Sequence, residues 1–206
     1  MKDRPTISEL VEQVVYDDRS DSPVIAELRQ RSEELRRAQG PLLADLAAAG
    51  FSVRSVWALI DPKLPKTSAL PVLLDHFSRP YPPTVREGIA RALGDLAAPA
   101  GWWDQVVALY RSERDEQVKS GLAAAMAQMA TKHDLGKAID LARDETNGSS
   151  RVHFLYKINR ARGARSQNAL LSFAEDPYLG PQAREYLKNR ERAAERKKKR
   201  LKESNG

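Results

Sequence analysis

The chain has 206 residues, 41% hydrophobic, 30% charged and only 6% aromatic, enough apolar material for one packed domain with tails and too much for disorder throughout. It contains no cysteine, which excludes disulfides, thiolate metal sites and cysteine nucleophiles. The formal charge is +6, but nine of the 34 basic and three of the 28 acidic residues lie between positions 188 and 203, leaving 25 of each elsewhere. The body is therefore neutral and the whole surplus is local.

Thr6 and Glu9 form a capping box ahead of Leu10, Val11, Val14 and Val15, which predicts a helix over 7–17. The opening residues do not read as a secretory leader, because Glu12 and Gln13 interrupt the apolar positions. Ser22 followed by Pro23 starts a second helix to about 38, with Ile25, Leu28 and Leu35 as a sparse stripe. Gly40-Pro41 stops it, and Leu42, Leu43 and Leu46 mark a third helix to Ala49. Ser52 opens a short fourth helix with Val53, Val56, Trp57, Leu59 and Ile60. Asp61-Pro62 ends that piece, and PKLPKTS reads as a linker.

From residue 69 the sequence repeats. LPVLLDHF (70–77), WDQVVALY (103–110), GKAIDLAR (136–143) and QNALLSFA (167–174) begin 31 to 33 residues apart, and each reads as the first helix of a hairpin. Their partners VREGIARALG (85–94), VKSGLAAAMA (118–127), RVHFLYKINR (151–160) and AREYLKNR (183–190) follow at spacings of 32 or 33. RPYPP, RSERDE, DETNGSS and EDPYLGP separate the two members of each pair. No hairpin has an apolar stripe large enough for a core of its own, so neighbours must stack to bury it, which predicts an all-α, solenoid-like array. The predicted organisation is amino-terminal capping helices and a linker over 1–66, a repeat array over 67–190, and a basic, poorly ordered tail over 191–206. No apolar run approaches the roughly 18 residues of a membrane span, so no membrane partner is expected and a cytoplasmic setting is.

Val85-Arg86-Glu87-Gly88-Ile89-Ala90-Arg91-Ala92-Leu93-Gly94 resembles the second helix of a HEAT repeat, of the short kind shared with phycobilin-lyase-like proteins. Val118 to Ala127 is a fair match, whereas Phe154, Tyr156 and Asn159 of the third unit depart from the pattern. The likeness covers about 68–190, and the stretch from Pro71 to Gly94 followed by Trp102-Trp103 also resembles uncharacterised bacterial HEAT proteins. It implies a right-handed α-α solenoid of about four hairpins, whose second helices line a concave side. Such proteins mostly bind proteins, less often nucleic acid, and few are enzymes.

Catalytic signals are weak. His76, His133 and His153 lack metal-ligand spacing, no phosphate loop or nucleophile elbow appears, and neither a cofactor nor a metal is expected. Residues 42–60 resemble the spacing of a helix-turn-helix, but the reading helix would offer only Arg54 among apolar residues. Trp102 and Trp103 open a helix and read as core anchors of their hairpin, one of which becomes a partner anchor if it is exposed.

A groove follows from helical rotation. With Val85, Ile89 and Ala92 facing the core, 100° per residue turns Glu87, Ala90, Arg91 and Gly94 away. The equivalents are Ser120, Ala123, Ala124 and Ala127, then His153, Tyr156, Lys157 and Arg160, then Glu185, Lys188 and Asn189. The candidate partner-binding residues are thus Arg91, Ala123, Ala124, Ala127, His153, Tyr156, Lys157 and Arg160, a smooth alanine floor between cations. The leading expectation is a noncatalytic scaffold that holds a protein segment there. A nucleic-acid binder using the same cations and the tail is the alternative, and a lyase acting on a cofactor-bearing protein is a second.

Overall fold

The computed structural model describes residues 23–61 and 64–204, and the helix expected over 7–17 lies outside them. Among the described residues the chain is all helical, with no strand. Helix α1 (Pro23–Ala38) is mostly exposed, as its thin stripe requires, and α2 (Gly40–Ala48) starts on Pro41 and buries Leu42 and Leu46. The fourth helix expected from Ser52 is instead a five-residue 3₁₀ turn, Val56–Ile60. Its start is set from outside: the Gln39 amide oxygen accepts the Val56 N–H at 3.0 Å and the Ser55 hydroxyl at 3.2 Å. Val56 and Leu59 are fully buried, so this piece is a plug in the core and presents no reading helix.

Lys66, within the expected linker, is also buried, and its Nζ donates to the Leu59 carbonyl at 2.7 Å. Burial lowers its pKa, with Asp95 and Asp61 acting in the opposite direction. The linker is therefore stitched to the core.

Eight helices follow, paired as the repeats predict: α3 (Leu70–Phe77) with α4 (Pro83–Ala92), α5 (Trp102–Ser112) with α6 (Glu116–Met129), α7 (Leu135–Arg143) with α8 (Val152–Arg160), and α9 (Ala164–Phe173) with α10 (Gly180–Ser204). Second helices also pack on one another in chain order, α4 on α6, α6 on α8 and α8 on α10. Aspartates close three of the turns. Asp115 accepts the N–H groups of Gln117 and Val118, Asp144 that of Thr146, and Asp176 those of Tyr178 and Leu179.

Glycine permits the tightest crossing. A Cβ on Gly121 of α6 would lie 2.9 Å from the Glu87 carbonyl oxygen and 3.0 Å from the Ala90 Cβ of α4. At the matching position of α4, a Cβ on Gly88 would meet Val56 Cγ1 at 2.6 Å. The 3₁₀ plug thus occupies, against the first repeat, the place that α4 occupies against the second.

The core runs as one cluster from Leu42 to Ala183. Trp102 is buried with its indole N–H on the Leu93 carbonyl at 2.9 Å, and half-buried Trp103 donates to the Met126 carbonyl at 3.3 Å beneath the Lys137 ammonium. Both indoles therefore tie α5 to its neighbours. Helix α10 does not end near 190 but continues to Ser204, and every residue from 191 to 200 is exposed. Alanine, glutamate, lysine and arginine are strong helix formers, which carries the helix past the point where packing stops.

Candidate functional site

The second helices place the predicted residues in two different environments. Ala123 is fully buried and Ala127 nearly so, as are Ala90 of α4 and Gly94 just beyond its end, so the expected alanine floor is an internal surface. Rotation by 100° per residue along one isolated helix allots each second helix a single buried face. A helix flanked by neighbours on both sides as well as by its hairpin partner buries most of its circumference, and α6 leaves only Ser120, Ala124 and Gln128 half-open over its length after Lys119. Gly121 meets α4 and Ala125 meets Gly94 just beyond it, whereas Ala123 and Ala127, two residues on from each, are turned about 160° away, to the side on which Ser120 bonds His153 of α8.

The open residues form a narrower strip. On α4, half-buried Arg91 donates through Nε to Glu87 at 2.8 Å, and the other Glu87 oxygen accepts from Gln117 of α6 at 2.8 Å. On α6, Ser120 shares a 2.7 Å hydrogen bond with the Nε2 of His153 on α8. Burial lowers the His153 pKa, Arg91 lowers it further, and Glu87 works against both. That electrostatic reach places Arg91, Glu87, Ser120 and His153 in one neighbourhood across three helices.

One turn further along α8, Tyr156 is 49% exposed. Its hydroxyl accepts a hydrogen bond from Arg160 at 2.8 Å, and the Arg160 guanidinium carbon sits 5.6 Å from the ring centroid. Lys157 is half-buried beside it. On α10, burial raises the Tyr186 pKa and the nearby Tyr156 of α8 adds to the rise. Glu185, Lys188 and Asn189 stand exposed on the same helix. The strip thus carries paired charges at the α4 end, small polar groups in the middle, and an aromatic and cationic end on α8. Arg91, Ala124, His153, Tyr156, Lys157 and Arg160 keep an open surface, while Ala123 and Ala127 do not.

Other polar residues do structural work that the sequence pattern did not signal. His76 is fully buried between the Asp45 carboxylate at 2.8 Å on Nε2 and the Tyr81 hydroxyl at 2.7 Å on Nδ1, joining α2, α3 and the following turn. Arg151 is buried against Asp176, to which it donates at 2.8 Å, and bonds the Ala142 carbonyl at 3.2 Å. Arg190 bonds the carbonyls of Ile158, Asn159 and Ala161 and the hydroxyl of Ser166. These groups lock the ends of hairpins to their neighbours. Among the described residues, His, Cys, Asp and Glu form no cluster suited to a metal ion, and no helix is long and apolar enough to cross a membrane.

No family model, curated protein or solved structure matches the chain.

Proposed function

We propose that the chain is a noncatalytic, HEAT-like α-solenoid that holds an acidic or mixed-charge segment of a protein partner along the open strip of α4, α6 and α8. The observation that carries this reading is the Tyr156 and Arg160 pair. Tyr156 stands open on the stacked second helices, and its ring is held at the hydroxyl and along one face by the same arginine. Little side-chain freedom is left to lose on binding, and tyrosine and arginine are the residues on which interface energy concentrates. Lys157 adds charge for a carboxylate, and Ala124 gives the segment a place to lie flat.

The test is selection of short random peptides on the full-length protein. Enriched peptides should be acidic, and joint replacement Tyr156→Ala with Arg160→Ala should weaken them about tenfold or more. Melting should be unchanged, because both side chains face solvent. The reading fails if no peptide is enriched, or if those enriched bind the double variant as tightly as the parent.

A further inference from the structure

We propose that the exposed half of α10 is a polynucleotide-binding arm, whose row of cations lies along the phosphate backbone of RNA or DNA without reading bases. Lys188, Arg192, Arg196 and Arg200 recur at every fourth residue, and all four are exposed. At 1.5 Å rise per residue, successive charges stand about 6 Å apart and the row extends about 18 Å. One step further back, Arg184 continues the row and donates to the Ala174 carbonyl, closing the end of α9.

The arm has a fixed root. Arg190 donates to the Ile158, Asn159 and Ala161 carbonyls, to Ser166 Oγ, and to the side-chain oxygens of Asn159 and Gln167. These bonds decide which side of α10 faces the body. At 100° per residue, Lys188 and Arg192 lie about 160° from Arg190, Arg196 about 120° and Arg200 about 80°. The row therefore starts on the side away from the body and winds about 120° round the helix as it leaves the root. Glu191 and Glu195 lie about 60° round the helix from the cation three residues before each and about 100° from the arginine that follows, so the acids flank the row on one side. Like charges four residues apart destabilise a helix, and a polyanion laid along them removes that repulsion.

The chemistry selects the partner. A duplex carries one phosphate charge for about every 1.7 Å of axis, so the row faces about ten of them. A membrane-surface helix needs a broad apolar face, whereas from 191 to 202 the only nonpolar residues are Ala193, Ala194 and Leu201. A protein interface needs an apolar anchor at its centre, and the row has none. Lys188 borders the Tyr156 strip, but Arg192, Arg196 and Arg200 lie beyond it, and the inference does not depend on the strip.

Fluorescence anisotropy of the full-length protein with a labelled DNA duplex, an RNA duplex and a single-stranded oligonucleotide tests the inference. Four neutralised phosphates give a slope of log affinity against log salt of about −3.6 on a duplex, a loss of about 150-fold between about 50 and 200 mM salt, and a slope of about −2.8 on a single strand. The three probes show which form of backbone is preferred. Joint replacement Arg192→Gln, Arg196→Gln and Arg200→Gln should make the duplex slope shallower by about 2.7, while the matching three-lysine variant should keep the slope. A chain truncated after Arg190 should lose the steep slope and keep its melting temperature. The inference is overturned if no oligonucleotide binds at the lowest salt, if the glutamine variant or the truncated chain keeps the parent slope, or if the lysine variant loses it. Binding to vesicles rich in phosphatidylserine without binding to any oligonucleotide would equally overturn it. Peptide binding at Tyr156 should be the same in all these variants.

Discussion

Replacing Gly121 with leucine sets two known quantities against each other. Leucine in place of glycine inside a helix gains about 0.8–1 kcal/mol of helix propensity. Against that, the first added carbon alone would sit 2.9 Å from the Glu87 carbonyl oxygen, 3.0 Å from the Ala90 Cβ and 3.1 Å from the Glu87 Cγ, where ordinary contact begins near 3.4 Å. The first two of these atoms cannot rotate away, so α4 and α6 must separate. Overpacking by added carbons costs about 1–3 kcal/mol and occasionally more, and leucine brings four carbons to a site without room for one. We expect a net loss of about 2 kcal/mol, which for a chain of this size lowers the thermal midpoint by roughly 4–8 °C. Gly136→Ala is the control: its Cβ would meet only the guanidinium end of Arg165, which can swing aside, so its midpoint should hold or rise. Thermal melts followed by circular dichroism measure both. A Gly121→Leu protein that melts at or above the parent would refute the close crossing of α4 and α6.

Ala124→Trp should change stability by no more than about 0.5 kcal/mol while abolishing peptide binding, since Ala124 is half-open; Ala125→Trp should cost about 1–3 kcal/mol or more, since Ala125 is buried and its Cα lies 2.9 Å from where a Cβ on Gly94 would sit. The reverse order in a melt would place the strip on the wrong side of α6. Removal of residues 191–206 should leave cooperative unfolding intact, because 191–200 are all exposed and Arg190 keeps its bonds; loss of cooperativity in a denaturant titration would contradict this. His153 has its pKa lowered by burial and by Arg91, so below about 6.5 the unfolded chain takes up a proton that the folded chain resists. Its contribution to stability is complete above that pH and falls as pH drops toward the folded-state value. His153→Gln should flatten the loss measured between pH 7 and about 5, and equal losses in parent and variant would disprove the assignment.

The hairpins were legible in the sequence because burial in each is local and periodic. LPVLLDHF coincides with α3 from Leu70 to Phe77, and the other repeats fall within two or three residues of α4 to α9 at their starts. Gly121 as a point of close approach was legible too, since a glycine inside a helical pattern needs a steric reason and Gly88 stands 33 residues before it. Tyr156, Lys157 and Arg160 could be placed on an open face for the same reason: α8 has a single strong apolar stripe, Phe154, Leu155 and Ile158. The sequence misplaced Ala123 and Ala127 because one helix's periodicity reports that it has a buried side but not how many neighbours it will have. Alanine is equally at home in water and in a tight helix crossing, so its identity carries no direction. Lys66, His76, Arg151 and Arg190 were invisible for a different reason. Each is a buried or half-buried polar side chain whose partners, carbonyls, a carboxylate or a phenol hydroxyl, lie 5 to 32 positions away, and only the folded arrangement of hairpins brings those partners within hydrogen-bond distance. The basic end shows both limits at once: sequence alone located its cations and their four-residue spacing, but the side from which the row sets out was decided by the bonds of Arg190 to the end of α8 and to Ala161.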